Sequence, residues 1–315
     1  MKVVLVTTIN RAAQGDLLEL SILHGMRSVL GANCIDLPRK KVMYHDFSES
    51  PKNSLHGRGF TLLTTPLDDL TEAQRKIEDI DAIIYGSGHI YGDSRIPELE
   101  EKCDNIWFLD GNDLYGDAPR KIIYNNEEII PTQFEKCFKR ELVEEGLNKV
   151  FPTGFGIPIE RIRQIRFEAK TQLFQKTAPD DSLFKEVKDF GGGFRHHVFD
   201  KEEDYYEDLS KSWFGLTCKK GGWDCLRHYE IIAGGSLLLF KDYHLKPEQC
   251  SPQNLPCISY SSKDQLEDIA NTLVTNGKPT GAYIKLLFQQ REWLFSTGTT
   301  EARALKILQT INENS

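Results

Sequence analysis

No run of this chain approaches the ~18 uninterrupted apolar residues that a membrane-crossing helix needs, so the sequence offers no transmembrane segment. An excess of positive charge is missing too: 39 Lys and Arg stand against 47 Asp and Glu, a formal net charge of −8. Such a chain repels polyanions unless its basic residues gather locally, so nucleic acid is not a default partner. Seven cysteines, an odd number in 315 residues, argue against a disulfide framework and for a reducing compartment. The opening Met1-Lys-Val-Val-Leu-Val-Thr-Thr lacks both a basic leader and a small-residue cleavage site. It reads as a buried first strand rather than a signal peptide, and the expected location is cytoplasmic. The strand leads into Thr7-Thr-Ile-Asn-Arg-Ala-Ala-Gln-Gly15 without a glycine fingerprint, which disfavours a nicotinamide-dependent oxidoreductase.

What is present is an ordinary globular balance, 39% hydrophobic and 27% charged, in a chain longer than one core usually serves. In the first half, strand patterns at Val3–Thr8, Cys34–Leu37, Ala82–Tyr85, Ile106–Leu109, Lys121–Tyr124 and Lys149–Phe151 punctuate helical spacing such as Leu17, Leu20, Leu23 and Met26. The polar stretch from Val42 to Pro66 reads as a long loop. Closely spaced Gly and Pro residues in Pro152-Thr-Gly-Phe-Gly-Ile-Pro158 mark the best boundary. Beyond it, strands near Thr171–Gln175, Phe194–Val198, Trp213–Cys218, Ser236–Phe240 and Cys257–Tyr260 alternate with helical patterns at Asp204–Leu209, Trp223–Ala233 and Asp264–Val274. Thr300–Ile311 closes the chain as an amphipathic helix. The expected fold is α/β, with two Rossmann-like doubly wound domains, residues 1–157 and 158–315, and an interdomain cleft at their strand ends.

One segment carries more chemistry than the rest. Trp213 to Phe240 reads strand, Lys219-Lys220-Gly221-Gly222, helix, strand. Glycines between a strand and a helix let the backbone approach a phosphate, and the free N–H groups of the helix end favour its charge. Arg227 lies in the early turns, where it adds a bidentate phosphate contact. Glu230, three residues on along the same face, can accept two hydrogen bonds from vicinal ribose hydroxyls. Gly222, Arg227, Glu230, Ala233 and Gly234, followed by an apolar strand, resemble the nucleotide-binding element of GT-B glycosyltransferases, most of all the spore-maturation and family-1/4-like groups. The downstream Ile258-Ser-Tyr260 strand and Asp264-Gln-Leu-Glu267 helix resemble the same element. The likeness spans roughly Lys211 to Val274 and implies that Arg227 contacts a diphosphate and Glu230 a ribose. Many retaining members carry a further glutamate seven residues before the nucleotide-binding one; Trp223 stands there in this chain, so that role is not carried over.

Other candidates are weaker. Lys139 and Arg140, in Cys137-Phe-Lys-Arg-Glu-Leu142, either neutralise the departing diphosphate, as a similar run in related transferases implies, or form a surface charge cluster. Lys176 follows the first strand of the second half and is a further phosphate candidate. A general base for the acceptor hydroxyl is sought among His89, Asp16, Asp110 and Asp113, each after a strand pattern; Asp16 competes with plain helix capping. Asp110 and Asp113 also invite comparison with the metal-holding carboxylates of GT-A transferases, but an Asp110-Gly111 turn accounts for them without metal. Gly86-x-Gly88-x-x-x-Gly92 lacks a clear following helix. The Cys218/Cys225 and Cys250/Cys257 spacings match no common zinc motif, and His196-His197 points to opposite faces of a strand. The expectation is therefore a metal-independent glycosyltransferase without cofactor. Its donor is a nucleotide-diphosphate sugar; its acceptor is a saccharide, a lipid-linked sugar, a protein or a modified nucleobase. A hinged, non-catalytic nucleotide- or sugar-binding protein and a GT-B-like nucleotide-sugar epimerase are the rivals.

Overall fold

A computed structural model describes residues 1–7, 16–46, 56–86, 95–113, 122–124, 127–129, 136–143, 149–178, 194–195 and 199–315. The chain divides into two compact units. The first comprises Met1–Pro158 with Pro247–Ser251 and Thr299–Ser315, and the second Ile159–Lys246 with Pro252–Gly298.

In the first unit, β1 (Val3–Val6), β2 (Cys34–Leu37), β3 (Ala82–Tyr85), β4 (Ile106–Asp110), β5 (Cys137–Lys139) and β6 (Val150–Pro152) form one sheet. Its order is β2-β1-β3-β4-β5-β6, and every pairing is parallel. β1, β2 and β3 are buried along their whole length, as strands covered on both faces must be. The order reverses between β1 and β3, which puts a topological switch point beside Thr7 and Gly86, the residues that follow them. Helix α1 (Leu17–Leu30) follows β1, and the short α2 (Ile96–Lys102) precedes β4. Ile122–Tyr124, expected as a strand, pairs antiparallel with Glu127–Ile129 outside the main sheet. Within the stretch expected as loop, Met43, Tyr44, Leu62 and Leu63 are buried.

The second unit is built on β7 (Gln172–Phe174), β8 (Ser212–Cys218), β9 (Leu237–Lys241) and β10 (Ile258–Tyr260), four parallel strands in sequence order. Around them lie α3 (Glu202–Lys211), α4 (Leu226–Ala233), α5 (Lys263–Leu273) and α6 (Gly281–Trp293). Its core gathers Phe174, Phe214, Leu216, Leu239, Tyr260, Leu266, Tyr283 and Leu287. Two buried glutamines complete the backbone ledger of this sheet. Gln175 just past the short β7 accepts from the Leu216 N–H at 2.9 Å and donates to the Leu216 carbonyl at 2.8 Å. Gln290 of α6 does the same for Leu238 at 2.8 and 3.0 Å. Side-chain amides thus stand in where a neighbouring strand falls short.

The last helix, α7 (Thr300–Glu313), belongs to the first unit and packs on α1, although the sequence reading groups it with the second half. The packing reason lies in α1: a Cβ added at Gly25 would sit 1.9 Å from the Thr300 carbonyl oxygen. The contact is fastened by His24 Nδ1 and Thr300 Oγ1 at 2.9 Å and by the Arg303 Nε–H donating to the Phe155 carbonyl at 3.0 Å. Among the described residues no helix is long and apolar enough to cross a membrane.

Candidate functional site

The site grows from β8. All seven of its residues are buried, and α4 lies flush on it because Gly215 has no side chain: a Cβ there would meet Ile231 Cγ2 at 2.1 Å. Between them runs Lys219 to Cys225, past the C-terminal edge of the parallel sheet, where open α/β sheets bind ligands. The Lys220 N–H donates to the Gly222 carbonyl at 3.2 Å, closing a tight turn. Gly221 is exposed and Gly222 buried. Lys219 Nζ lies 5.2 Å from the centroid of the Trp223 ring.

His228 shapes this turn from beneath. It is fully buried, with Nε2 2.9 Å from the Trp223 carbonyl and Nδ1 3.0 Å from Thr217 Oγ1. A carbonyl can only accept, so Nε2 carries a proton. One ring therefore ties the end of β8 to the loop above it. The Tyr229 hydroxyl fixes the same loop by donating to Asp224 Oδ1 at 2.8 Å. At the far end of α4, the Arg291 guanidinium donates to the carbonyls of Ile232 and Ala233 at 3.0 and 3.1 Å, placing positive charge where the helix dipole favours it.

Arg227 occupies the second position of α4, after the Cys225 cap. Its Nη1 is buried and has no hydrogen-bond partner among the described residues. Burial opposes its charge, but its neighbours, the Glu230 carboxylate among them, outweigh that cost, so its pKa is raised and the guanidinium stays protonated. Glu230, three residues on, is buried and forms no ion pair with it; its Oε2 instead accepts from the Tyr205 hydroxyl of α3 at 2.8 Å. Burial, then the Glu230 carboxylate, pushes the Tyr205 phenol far above its ordinary range, so it remains a donor. Tyr205 is tilted against Phe199 and edge-on to Tyr206. Beneath it α3 is clasped by ion pairs from Arg161 to Glu202 and from Arg163 to Glu203. Lys176 is exposed just beyond β7, and its backbone N–H donates to Asp208 Oδ2 at 2.9 Å.

The first unit distributes its candidates differently. Asp16 is the cap of α1, its Oδ1 accepting from the N–H groups of Leu18 and Glu19 at 2.9 and 3.1 Å. Asp110 ends β4 buried, with Lys139 Nζ 2.9 Å from Oδ2 and the Asn112 N–H donating to Oδ1. Arg140 is also buried rather than part of a surface cluster. It donates to the Gly111 carbonyl, to Glu141 Oε1 at 2.9 Å and to Asp113, and it lies over the Phe155 ring. Lys139 and Arg140 are thus bonded to groups of their own unit. His89, Gly88 and Gly92 lie outside the described residues, as do His196 and His197. At the switch point a buried pair escaped the sequence reading: Lys40 Nζ is 2.6 Å from Glu19 Oε1. Gly86 makes room for it, since a Cβ there would fall 2.2 Å from Glu19 Oε2.

No family model matches the sequence, and neither does any curated protein. Solved structures do resemble it along its whole length. An alpha-glucosyltransferase in complex with UDP and a 13-mer DNA containing an HMU base matches 99% of this chain and 99% of its own, at 10% identity and TM-score 0.58. AviGT4, a glycosyltransferase involved in Avilamycin A biosynthesis, matches over 99% and 97% of the two chains at 11% identity and TM-score 0.51. A trehalose-6-phosphate structure from E. coli bound with UDP-2-fluoro glucose matches over 99% of both at 10% identity and TM-score 0.52. The fold is that of the GT-B glycosyltransferases, with two Rossmann-like α/β domains built on parallel sheets.

Proposed function

We propose that this chain transfers a glycosyl group from a nucleoside-diphosphate sugar to an acceptor hydroxyl. The donor diphosphate rests on the Lys219–Cys225 turn and the N-terminus of α4, with Arg227 as clamp and Glu230 on the ribose. The observation that carries this reading is Arg227 Nη1, buried and without a partner among the described residues, at a helix start beyond a parallel-sheet edge. An orphaned charged donor there calls for an anion. Lys219, and Lys176 beyond the neighbouring strand, add positive charge on the same edge. Together with the helix end they stabilise the leaving diphosphate, so this reading requires no metal. The GT-B fold supports the reading, and the neighbours solved with UDP or a UDP-sugar make UDP the first donor nucleotide to try.

For the acceptor base, Asp16 and Asp110 are the weaker choices, since each carboxylate already holds backbone or lysine partners. A thermal-shift panel of UDP, GDP, ADP, CDP, TDP and their common sugars tests the donor claim. Ligand that binds only the folded state raises the melting temperature, by about 2.7 kcal/mol of stabilisation at a hundredfold excess over Kd. One diphosphate standing out names the base. The acceptor screen then follows by diphosphate release against saccharides, lipid-linked sugars, proteins and DNA, with HMU-containing DNA first because a neighbour was solved with it. Failure of every nucleotide at millimolar concentration on folded protein would remove the donor site.

A further inference from the structure

We infer that Cys225 is an oxidative modification site: peroxide converts its thiol to a sulfinate that occupies the anion contacts of α4 and closes the donor site. The inference rests on the donor site proposed above and adds a means of regulating it. Of the seven cysteines, only Cys225 and Cys257 are not fully buried, and desolvation pushes the Cys257 thiol up to about 12. Burial raises Cys34 to about 12 as well, and Cys103 and Cys137 above their ordinary value. Thiols raised in this way by apolar surroundings are inert. Cys225 instead stands half-buried at the cap of α4, past the C-terminal end of β8.

Its place in the helix is that of a cap that does not cap. A side-chain oxygen there ordinarily accepts from the N–H of the second or third helical residue, and the Cys225 thiol makes no such bond. The second helical residue is Arg227, whose Nη1 is buried without a partner among the described residues. Its guanidinium lies within electrostatic range of a Cys225 thiolate. Oxidation supplies the missing acceptors. The thiolate sulfur attacks one peroxide oxygen, the O–O bond breaks and hydroxide leaves, giving a sulfenic acid. A second peroxide gives up one oxygen to the sulfur and leaves as water, so sulfur is oxidised and peroxide reduced at both steps. The resulting sulfinic acid ionises, and its two oxygens match an aspartate in charge and in acceptors. They take the helix N–H groups and the guanidinium that a diphosphate needs.

Calorimetric titration of inorganic pyrophosphate into wild type, Cys225→Ser and Cys225→Asp tests this, each before and after hydrogen peroxide, with oxidised residues mapped by peptide mass. Wild type gains two oxygens at Cys225 and its pyrophosphate affinity falls about tenfold or more, the scale of one charge-assisted hydrogen bond. Cys225→Ser, compared with its own untreated sample, keeps its affinity. Cys225→Asp carries the charge without oxidant, so untreated it binds at least about tenfold more weakly than Cys225→Ser. It melts no lower, because an aspartate caps the helix. Peroxide that leaves Cys225 unoxidised, or oxidises it without loss of binding, overturns the inference and leaves the donor site standing. An equal loss in Cys225→Ser, or a Cys225→Asp protein that binds as tightly as Cys225→Ser, does the same. Should a variant fail to fold, the wild-type result decides. Untreated wild type that does not bind pyrophosphate overturns the donor site and this inference together.

Discussion

A buried guanidinium nitrogen without a partner is costly unless something outside the chain supplies the acceptor, and Arg227 Nη1, unpartnered among the described residues, carries that cost in the first turn of α4. Arg227→Met should therefore leave the melting temperature of the ligand-free protein unchanged or raised, while diphosphate binding weakens by about 10- to 100-fold. A thermal melt alongside a UDP titration separates the two effects, and a large fall in ligand-free stability would argue for a structural arginine instead. Asp16 is the opposite case. Its carboxylate holds two backbone N–H groups of α1, so Asp16→Ala should cost about 1 kcal/mol in urea denaturation. Turnover per folded molecule should hold; a collapse of turnover at unchanged stability would restore Asp16 as a base.

At the scale of elements, the two sheets depend on places where a side chain is absent or replaces backbone. Gly215→Ala must push α4 off β8, because Ile231 occupies the space, and should weaken nucleotide binding as well as stability. Gln290→Leu strips the Leu238 N–H and carbonyl of their partner and should cost about 2–5 kcal/mol, two buried groups left unmade. A denaturation midpoint within error of wild type would contradict that. These elements were unequally legible in the sequence. Short apolar runs such as Ala82–Tyr85 coincide with their strands, because burial on both faces demands unbroken hydrophobicity. β5 was hidden: Lys139, Arg140 and Glu141 look like solvated charge, but Lys139 pairs with Asp110 of another strand, Arg140 with Asp113 in the loop after it, and Glu141 with Arg140 itself. α6 buries Gln290 and Arg291 on its inner face, so its hydrophobic pattern is broken where its bonds matter. Tyr205 and His228 had no local signal, since their meaning lies in partners on other elements.

At the scale of the molecule, chain order did not dictate unit membership. α7 joins the first unit through Gly25 and His24 of α1, a fit no amphipathic pattern encodes. A pH signature also belongs to this scale. Lys170 Nζ donates to the carbonyls of Ser212 and Gly235, both at 2.6 Å; burial, then the Arg291 charge, brings its pKa down to about 7. Unfolded, the same amine holds its proton to an ordinary ~10.4. Between those values the unfolded chain binds more protons, so stability gains a term that rises with pH from about 7 towards 10. Subtracting the stability of Lys170→Met from that of wild type across this window isolates the term, and a flat or falling difference would refute it. The central claim, a nucleotide-diphosphate donor on α4, is tested most directly by calorimetric titration of UDP into wild type and Arg227→Ala. Saturable binding to wild type, weakened at least tenfold in a folded Arg227→Ala protein, is the predicted result; equal affinities in the two proteins would contradict it.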